Sequence, residues 1–151
     1  MVVGIVQIKF IARYYAEQLA PRNTTALIAI IDPDKGPIST WEQWKYKILV
    51  RCHDIDPLKL SDNGQTRENR QPFTHREAMA IVEFIRSLPP RIDTIIAHCE
   101  AGISRSAAVA VFLHEKFPSS TLYQSAPLYN RYIRAVLDAV WEGGKATRYD
   151  P

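Results

Sequence analysis

The sequence predicts a single α/β domain with a largely parallel central sheet and helices on both faces. Four short apolar runs, bounded by polar or turn-forming residues, predict buried strands at 2–8, 26–31, 46–52 and 92–97. Segments with helical spacing of apolar residues accompany them, and strands that alternate with helices form parallel sheets. We expect one domain over the 151 residues, with a loose tail at 145–151.

In the first half of the chain, near-helical spacing predicts a helix over 10–19, between the first two strands. The turn-rich stretch 32–37 then ends the second strand. We expect Trp41 and Trp44 to pack on the edge of the sheet, with a substrate-lining role as the alternative.

The middle of the chain is a polar segment, 54–72, which predicts a surface loop. Thr74 and Glu77 follow as a capping-box pattern, which starts a helix. This helix should run to about Leu88. Its buried face should consist of Ala78, Ile81, Val82 and Ile85.

Two more helices are predicted in the last third. The run 107–113 has no helix breaker and is apolar on most sides. A final helix over 128–140 should begin near Pro127, because proline is favoured at a helix start. The pair Gly143-Gly144 should end it.

The stretch from His98 to Ser106 combines residues that can hold an anion and react with it. A loop that leads from a strand into a helix directs its backbone N–H groups at one point, and the helix dipole adds to their attraction. Gly102 lets this loop bend. Cys99 lies six residues before Arg105, so a thiol and a guanidinium would flank the bound anion.

These two side chains suit phosphoryl transfer. The thiolate is the reactive form of cysteine, and a helix N-terminus and a neighbouring cation both favour it at Cys99. The planar fork of Arg105 can bond two phosphate oxygens at once. The pattern therefore predicts a phosphoryl-transfer site that needs no metal and no cofactor. The alternative is that Cys99 is a buried, inert cysteine, which is a common role for this residue.

The string His-Cys-Glu-Ala-Gly-Ile-Ser-Arg-Ser resembles the signature loop of the cysteine-dependent protein tyrosine phosphatases. It is most similar to the dual-specificity branch and to small bacterial and phage phosphatases. A weaker similarity in the order of elements extends over 28–137. The resemblance implies that Cys99 is the nucleophile that forms a phosphocysteine intermediate, and that Arg105 clamps the phosphoryl oxygens.

The resemblance also assigns roles to the rest of the loop. Ser106 would donate a hydrogen bond to Cys99 and help the thiolate leave. His98 would order the loop, or would be a satisfied histidine at the end of a strand. Backbone amides would cradle the phosphate, contributed by Glu100, Ala101, Gly102, Ile103, Ser104 and Arg105.

A phosphate ester needs a proton for its departing oxygen, normally from a positioned carboxylic acid. The family uses an aspartate on a loop after the strand upstream of the signature, here the strand 46–52. Asp54 is the expected acid, with Asp56 as the alternative and Asp62 ranked third. The interval to Cys99 is longer than in compact dual-specificity members, and we assign the excess to the polar segment 61–71.

The resemblance implies a phosphorylated protein or a small phosphate ester as substrate, with phosphotyrosine first and phosphoserine or phosphothreonine next. The same signature also serves phosphoinositide and RNA 5′-phosphate hydrolysis. A non-catalytic module that recognises phosphorylated partners is an alternative from another class. A rhodanese-like sulfurtransferase ranks last, because its loop lacks the His-Cys and Arg-Ser frame.

Composition limits the other partners. The net charge of +3 is too small to argue for a nucleic acid or a membrane surface. No apolar run approaches the roughly 20 residues of a membrane span. The first ten residues lack the features of a signal peptide, so we expect a cytoplasmic monomer. Arg67, Arg70 and Arg76 are expected to be solvated, with steering of an anionic substrate as the alternative.

Cys52 is the second cysteine and lies at the end of the third predicted strand. We expect it to be a buried apolar residue. The alternative is a reversible disulfide with Cys99, which would protect the nucleophile from over-oxidation.

Overall fold

A five-stranded sheet lies at the centre of the described residues, 4–56 and 70–143 of a computed structural model. All strand pairs are parallel and the order is β3-β2-β4-β1-β5. The predicted α/β class with a parallel sheet is confirmed. The strands are β1 (Gln7–Ala12), β2 (Thr25–Ile31), β3 (Tyr46–Arg51), β4 (Thr94–Cys99) and β5 (Thr121–Leu122).

Helices cover both faces of this sheet, as predicted. The described helices are α1 (Arg13–Ala16), α2 (His75–Ser87), α3 (Arg105–Lys116) and α4 (Arg131–Trp141), with a 3₁₀ turn at Trp41–Gln43. Helices α2, α3 and α4 pack together over one face, where most of the apolar core lies. Helix α1 contacts β1 and β4 on the other face. No helix in the described ranges is both long and apolar enough to cross a membrane.

The second face carries a smaller apolar cluster. Leu27 of β2 and Ile96 of β4 belong to it, whereas their chain neighbours Ile28 and Ile95 belong to the main core. This alternation is expected of strands that are buried on both faces. Trp44 is buried in the smaller cluster with Trp41 against it, so both tryptophans pack on the face of the sheet rather than on its edge, where they were expected.

Helix α2 confirms its sequence prediction closely. The side chain of Thr74 accepts a hydrogen bond from the backbone of Arg76, and the Glu77 carboxylate accepts one from the backbone N–H of Thr74. These bonds satisfy N–H groups that a helix N-terminus would otherwise leave open. The four buried residues are those predicted, Ala78, Ile81, Val82 and Ile85.

The start of the chain differs from its prediction. The first strand runs over Gln7–Ala12 rather than over 2–8, and the helix predicted over 10–19 is reduced to Arg13–Ala16. Pairing with β4 explains the difference, because its register runs from Gln7 opposite Thr94 to Ala12 opposite Cys99. These inter-strand bonds outweigh a local helical spacing of apolar residues.

Three other boundaries are also corrected. The fourth strand begins at Thr94 and ends at Cys99, two residues later than predicted at each end. The last helix begins at Arg131 rather than near Pro127, because Asn130 provides the N-cap by accepting from the backbone N–H of Ile133. Strand β5 has two residues and was not predicted.

The register of the strands brings their carboxyl ends to one edge of the sheet. Cys99 ends β4, and Asp32 and Cys52 directly follow β2 and β3. Ligands bind at this edge in parallel α/β sheets. The fold therefore gathers residues from three neighbouring strands around one point.

Candidate active site

Cys99 lies at the base of the loop between β4 and α3, and polar groups surround its sulfur. The backbone N–H groups of Gly102 and Ser106 donate to Sγ, with N···S distances of 3.3 and 3.4 Å. The hydroxyl of Ser106 lies 3.1 Å from the same sulfur, as the resemblance implies. Three polar groups therefore converge on the sulfur of Cys99, which an inert cysteine packed in an apolar core would not need.

The loop is packed tightly against the end of β1. Gly102 has a φ of 72°, and a Cβ atom built there would lie 2.3 Å from the backbone nitrogen of Ala12. Only glycine tolerates both the conformation and the contact. The backbone N–H of Arg13 donates to the carbonyl of Glu100, which fixes the start of the loop.

The first turn of α3 is open toward the loop. Ser104 occupies the N-cap position, but its side chain makes no capping hydrogen bond. Its hydroxyl donates to Asp54 Oδ1 instead, at 2.7 Å. The N-terminus of α3 therefore has no side-chain cap, and the first N–H groups of a helix together with its dipole attract anions. The phosphate cradle expected from residues 100–105 stays a prediction.

Arg105 is buried, and acceptor groups that follow β2 and β3 hold its guanidinium in place. Its Nη1 donates to Asp32 Oδ1 at 2.8 Å and to the carbonyl of Cys52 at 2.6 Å. Burial opposes the charged form, but the hydrogen bond to Asp32 and nearby negative charge outweigh it and raise the pKa of Arg105. The guanidinium is a permanent cation with a fixed orientation.

Asp54, the expected acid, lies beside the loop, and its role as the acid stays a prediction. Two donors reach the same carboxylate oxygen, Oδ1: the hydroxyl of Ser104 at 2.7 Å and the side-chain amide of Asn130 at 2.9 Å. Asp56, the alternative acid, lines the same open groove, together with Asp54, Ser104 and Arg131. Strand β3 has ended at Arg51, so loop geometry rather than strand alternation places both carboxylates.

His98 is fully buried in β4, and its ring nitrogens have no hydrogen-bond partner within the described ranges. Burial is the main reason that the pKa of His98 is lowered to about 4. The imidazole is therefore neutral at physiological pH. The alternative of a satisfied histidine is wrong within the described ranges, because neither ring nitrogen has a partner. The role of ordering the loop stays a prediction.

Cys52 is buried in the main core, as expected, and burial raises the pKa of its thiol to about 12. Both cysteines are free. Strand β2 separates β3 from β4, and neighbouring strands lie about 4.8 Å apart, so the two strand ends are about 10 Å apart. A disulfide needs Cα atoms within about 7 Å. The alternative of a Cys52–Cys99 disulfide is therefore wrong for this arrangement.

The structure describes two of the three clustered arginines that precede the candidate site in the sequence. Arg70 and Arg76 line a groove that Arg51 and Glu77 also line. Arg67 lies outside the described residues, as do Asp62 and the tail at 145–151.

Two residues of the site escaped sequence analysis. Asp32 appeared only within a turn-rich stretch, although its place after a strand beside β4 was a usable signal. Asn130 is 130 residues into the chain and 76 residues from Asp54, and nothing local links the two. Among the described residues, no three histidine, cysteine or acidic side chains are grouped to hold a metal ion.

No family model, curated protein or solved structure matches this chain.

Proposed function

We propose that this chain is a cysteine-dependent phosphatase that hydrolyses phosphate monoesters, phosphotyrosine first among them, through a phosphocysteine intermediate. The observation that carries the proposal is the set of three polar groups around Cys99 Sγ at the base of an open N–H loop. An inert cysteine in a core has no need of such donors. A nucleophile that must be a thiolate does.

Substrate binding would use the loop and Arg105. The phosphoryl dianion would accept from the loop amides, and the guanidinium of Arg105 would bond its oxygens. Because Asp32 and the Cys52 carbonyl engage Nη1, the other guanidinium nitrogens are the ones assigned to phosphate. Donors that are fixed before the reaction stabilise developing charge without reorganisation.

The chemistry would then take two steps. Cys99 Sγ attacks phosphorus, the ester P–O bond breaks, and Asp54 gives its proton to the departing oxygen. Water next attacks the phosphocysteine and gives a proton to Asp54, while the P–S bond breaks and restores the thiolate. Ser106, 3.1 Å from the sulfur, stabilises the charge that returns to it. We also propose that the protein acts as a monomer in the cytoplasm, where a thiol stays reduced.

Hydrolysis of p-nitrophenyl phosphate in excess chelator tests this function. We expect turnover by the parent protein and none by Cys99→Ser, since a hydroxyl is a far weaker nucleophile. The variant should still bind vanadate or phosphate, because the amide cradle is unchanged. Full activity of the variant, or turnover only after metal is added, would contradict the proposal.

A substrate panel defines the class more narrowly. Phosphotyrosine, phosphoserine and phosphothreonine peptides would be compared with a phosphoinositide and a 5′-phosphorylated RNA, with thiosulfate as the sulfurtransferase control. We expect the highest kcat/KM on phosphotyrosine peptides. Phosphopeptide binding without turnover would instead support a recognition module.

A further inference from the structure

Asn130 connects three parts of the molecule that the proposed chemistry needs together. Its backbone N–H donates to the carbonyl of Ser104 in the nucleophile loop, at 3.1 Å. Its side-chain Oδ1 accepts from the backbone N–H of Ile133 at 2.9 Å, which caps α4. Its Nδ2 donates to Asp54 Oδ1 at 2.9 Å and to the carbonyl of Ile55 at 3.1 Å. The residue is buried.

The orientation of this amide is fixed by its partners. The N–H of Ile133 needs an acceptor, and the oxygens of Asp54 and Ile55 need donors. A rotated amide would set donor against donor at Ile133 and acceptor against acceptor at Asp54. Each end of the amide therefore has one possible role.

The two donors on Asp54 Oδ1 have a consequence for the proton. Ser104 and Asn130 both direct hydrogen atoms at Oδ1, so a proton on the carboxyl group is best accommodated on Oδ2. Ser104 belongs to the nucleophile loop, and Asn130 is bonded to that loop through its backbone. The acid is thus oriented relative to Cys99 through short, direct links.

We propose that Asn130 is a positioning residue for Asp54, holding Oδ1 so that the transferable proton sits on Oδ2 and faces the substrate. This inference rests on the proposed phosphatase function. Protonated Asp54 gives the Oδ2 proton to the ester oxygen as the P–O bond breaks, which leaves a carboxylate. The carboxylate then takes a proton from the water that attacks the phosphocysteine. Asn130 keeps one geometry through both transfers.

Two substitutions separate positioning from helix capping. Serine is as good an N-cap as asparagine, so Asn130→Ser keeps the bond to the Ile133 N–H and removes the amide donor. Asn130→Asp keeps the shape and the cap but sets a carboxylate against Asp54. Thr74→Ala is the matched control, since it removes the cap of α2, and the hydrogen bonds described for the Thr74 side chain go to Arg76 and Glu77. Thermal unfolding of all three variants monitors the fold.

The main measurement is a double-mutant cycle with phenyl phosphate, a poor leaving group, and p-nitrophenyl phosphate, a better one. We expect Asn130→Ser to lower kcat by about 10- to 100-fold for phenyl phosphate, the range of a lost hydrogen bond to a charged group. The loss should be smaller for p-nitrophenyl phosphate. In an Asp54→Asn background the same substitution should change kcat by less than about threefold, since coupled residues are not additive.

The pH profile gives an independent measurement. In Asn130→Asp the alkaline limb of kcat should move to higher pH, because a neighbouring carboxylate favours the protonated form of Asp54. Among the described residues, the other charged groups that line this groove are Asp56 and Arg131, and both are unchanged in the variant. Thr74→Ala should keep the parent limb and the parent leaving-group dependence.

The outcomes distinguish this inference from the function on which it rests. Equal losses in the parent and Asp54→Asn backgrounds, or equal losses for both leaving groups, would overturn the role of Asn130 while leaving the phosphatase intact. An unshifted alkaline limb in a folded Asn130→Asp protein would also overturn it. A parent protein without Cys99-dependent turnover would overturn both.

Discussion

The two cysteines of this protein lie at the ends of β4 and β3, on the same edge of one sheet, yet their surroundings are opposite. Cys99 is 2% exposed and Cys52 is 0% exposed, so burial does not separate them. Three polar groups surround the sulfur of Cys99. Cys52 is packed in the apolar core, and its contact with the site is a backbone carbonyl that accepts from Arg105.

The comparison shows that the loop after a strand, rather than the position of the strand in the sheet, decides which groups surround a cysteine. After β4, the turn at Gly102 and the start of α3 direct N–H groups back at the sulfur. After β3, the chain continues through His53 to Asp54. The end of β4 therefore carries the proposed nucleophile, whereas the end of β3 contributes a carbonyl group that orients Arg105.

The difference between the two cysteines can be tested by alkylation, for which we expect the largest effect. At pH 7.5 iodoacetamide should modify Cys99 at least about 10³-fold faster than Cys52, since the thiolate reacts and the pKa of Cys52 is raised to about 12. Inorganic phosphate should protect Cys99 by occupying the loop. Peptide mapping after timed quenching measures both rates. Comparable labelling of the two cysteines in the folded protein would contradict the distinction.

Substitution of Asp54, the proposed acid, tests the loop that follows Cys52. Asp54→Asn should lower kcat by about 10²–10⁴-fold for a poor leaving group such as phenyl phosphate. The loss should be smaller for an activated aryl phosphate, whose oxygen needs little protonation. The alkaline limb of the kcat profile should also disappear.

Asp56→Asn is the matched variant for this experiment, because Asp56 lines the same groove two residues away. If Asp56→Asn shows the leaving-group pattern and Asp54→Asn does not, the acid is Asp56. If neither does, the acid lies elsewhere in the segment 54–71.

The parts of this site that sequence could predict are those encoded locally. The strand, Gly102 and Arg105 are neighbours in the chain, so their meeting needs only one strand, one turn and one helix. The capping box of α2 is local in the same way. Register is different, because only pairing with β4 shows that β1 continues to Ala12.

The supporting residues could not be found in this way, since they reach the site through the fold. Arg105 and Asp32 are 73 residues apart, and Asp54 and Asn130 are 76 apart. A single aspartate in a turn or a single asparagine before a helix has a sufficient local explanation. The order of the strands and the packing of α4 give these two residues their partners.

The orientation of Arg105 can be tested through Asp32. Asp32→Asn should lower kcat/KM by about 10- to 100-fold, because the guanidinium loses a charge-assisted hydrogen bond in a buried place. Vanadate should bind more weakly by a similar factor. Asp34→Asn is the matched control, since it makes the same charge change on an exposed residue of the same turn. Equal effects of the two substitutions would indicate a general effect of charge rather than a role for Asp32.

The smallest effect expected concerns the stability of the folded chain at alkaline pH, where the buried state of Cys52 has a measurable consequence. Burial raises the pKa of this thiol from 9.0 to about 12 in the folded protein. Above pH 9 the unfolded chain loses the proton while the folded chain keeps it, so the unfolded state binds fewer protons. The free energy of unfolding should therefore fall with rising pH, by up to about 1.4 kcal/mol per pH unit from this group.

Urea unfolding between pH 8 and 10.5, compared for the parent and Cys52→Ala, isolates this contribution from lysines and tyrosines that titrate in both proteins. We expect a shallower fall in Cys52→Ala, and parallel profiles would show that Cys52 ionises as readily in the folded chain as in the unfolded one.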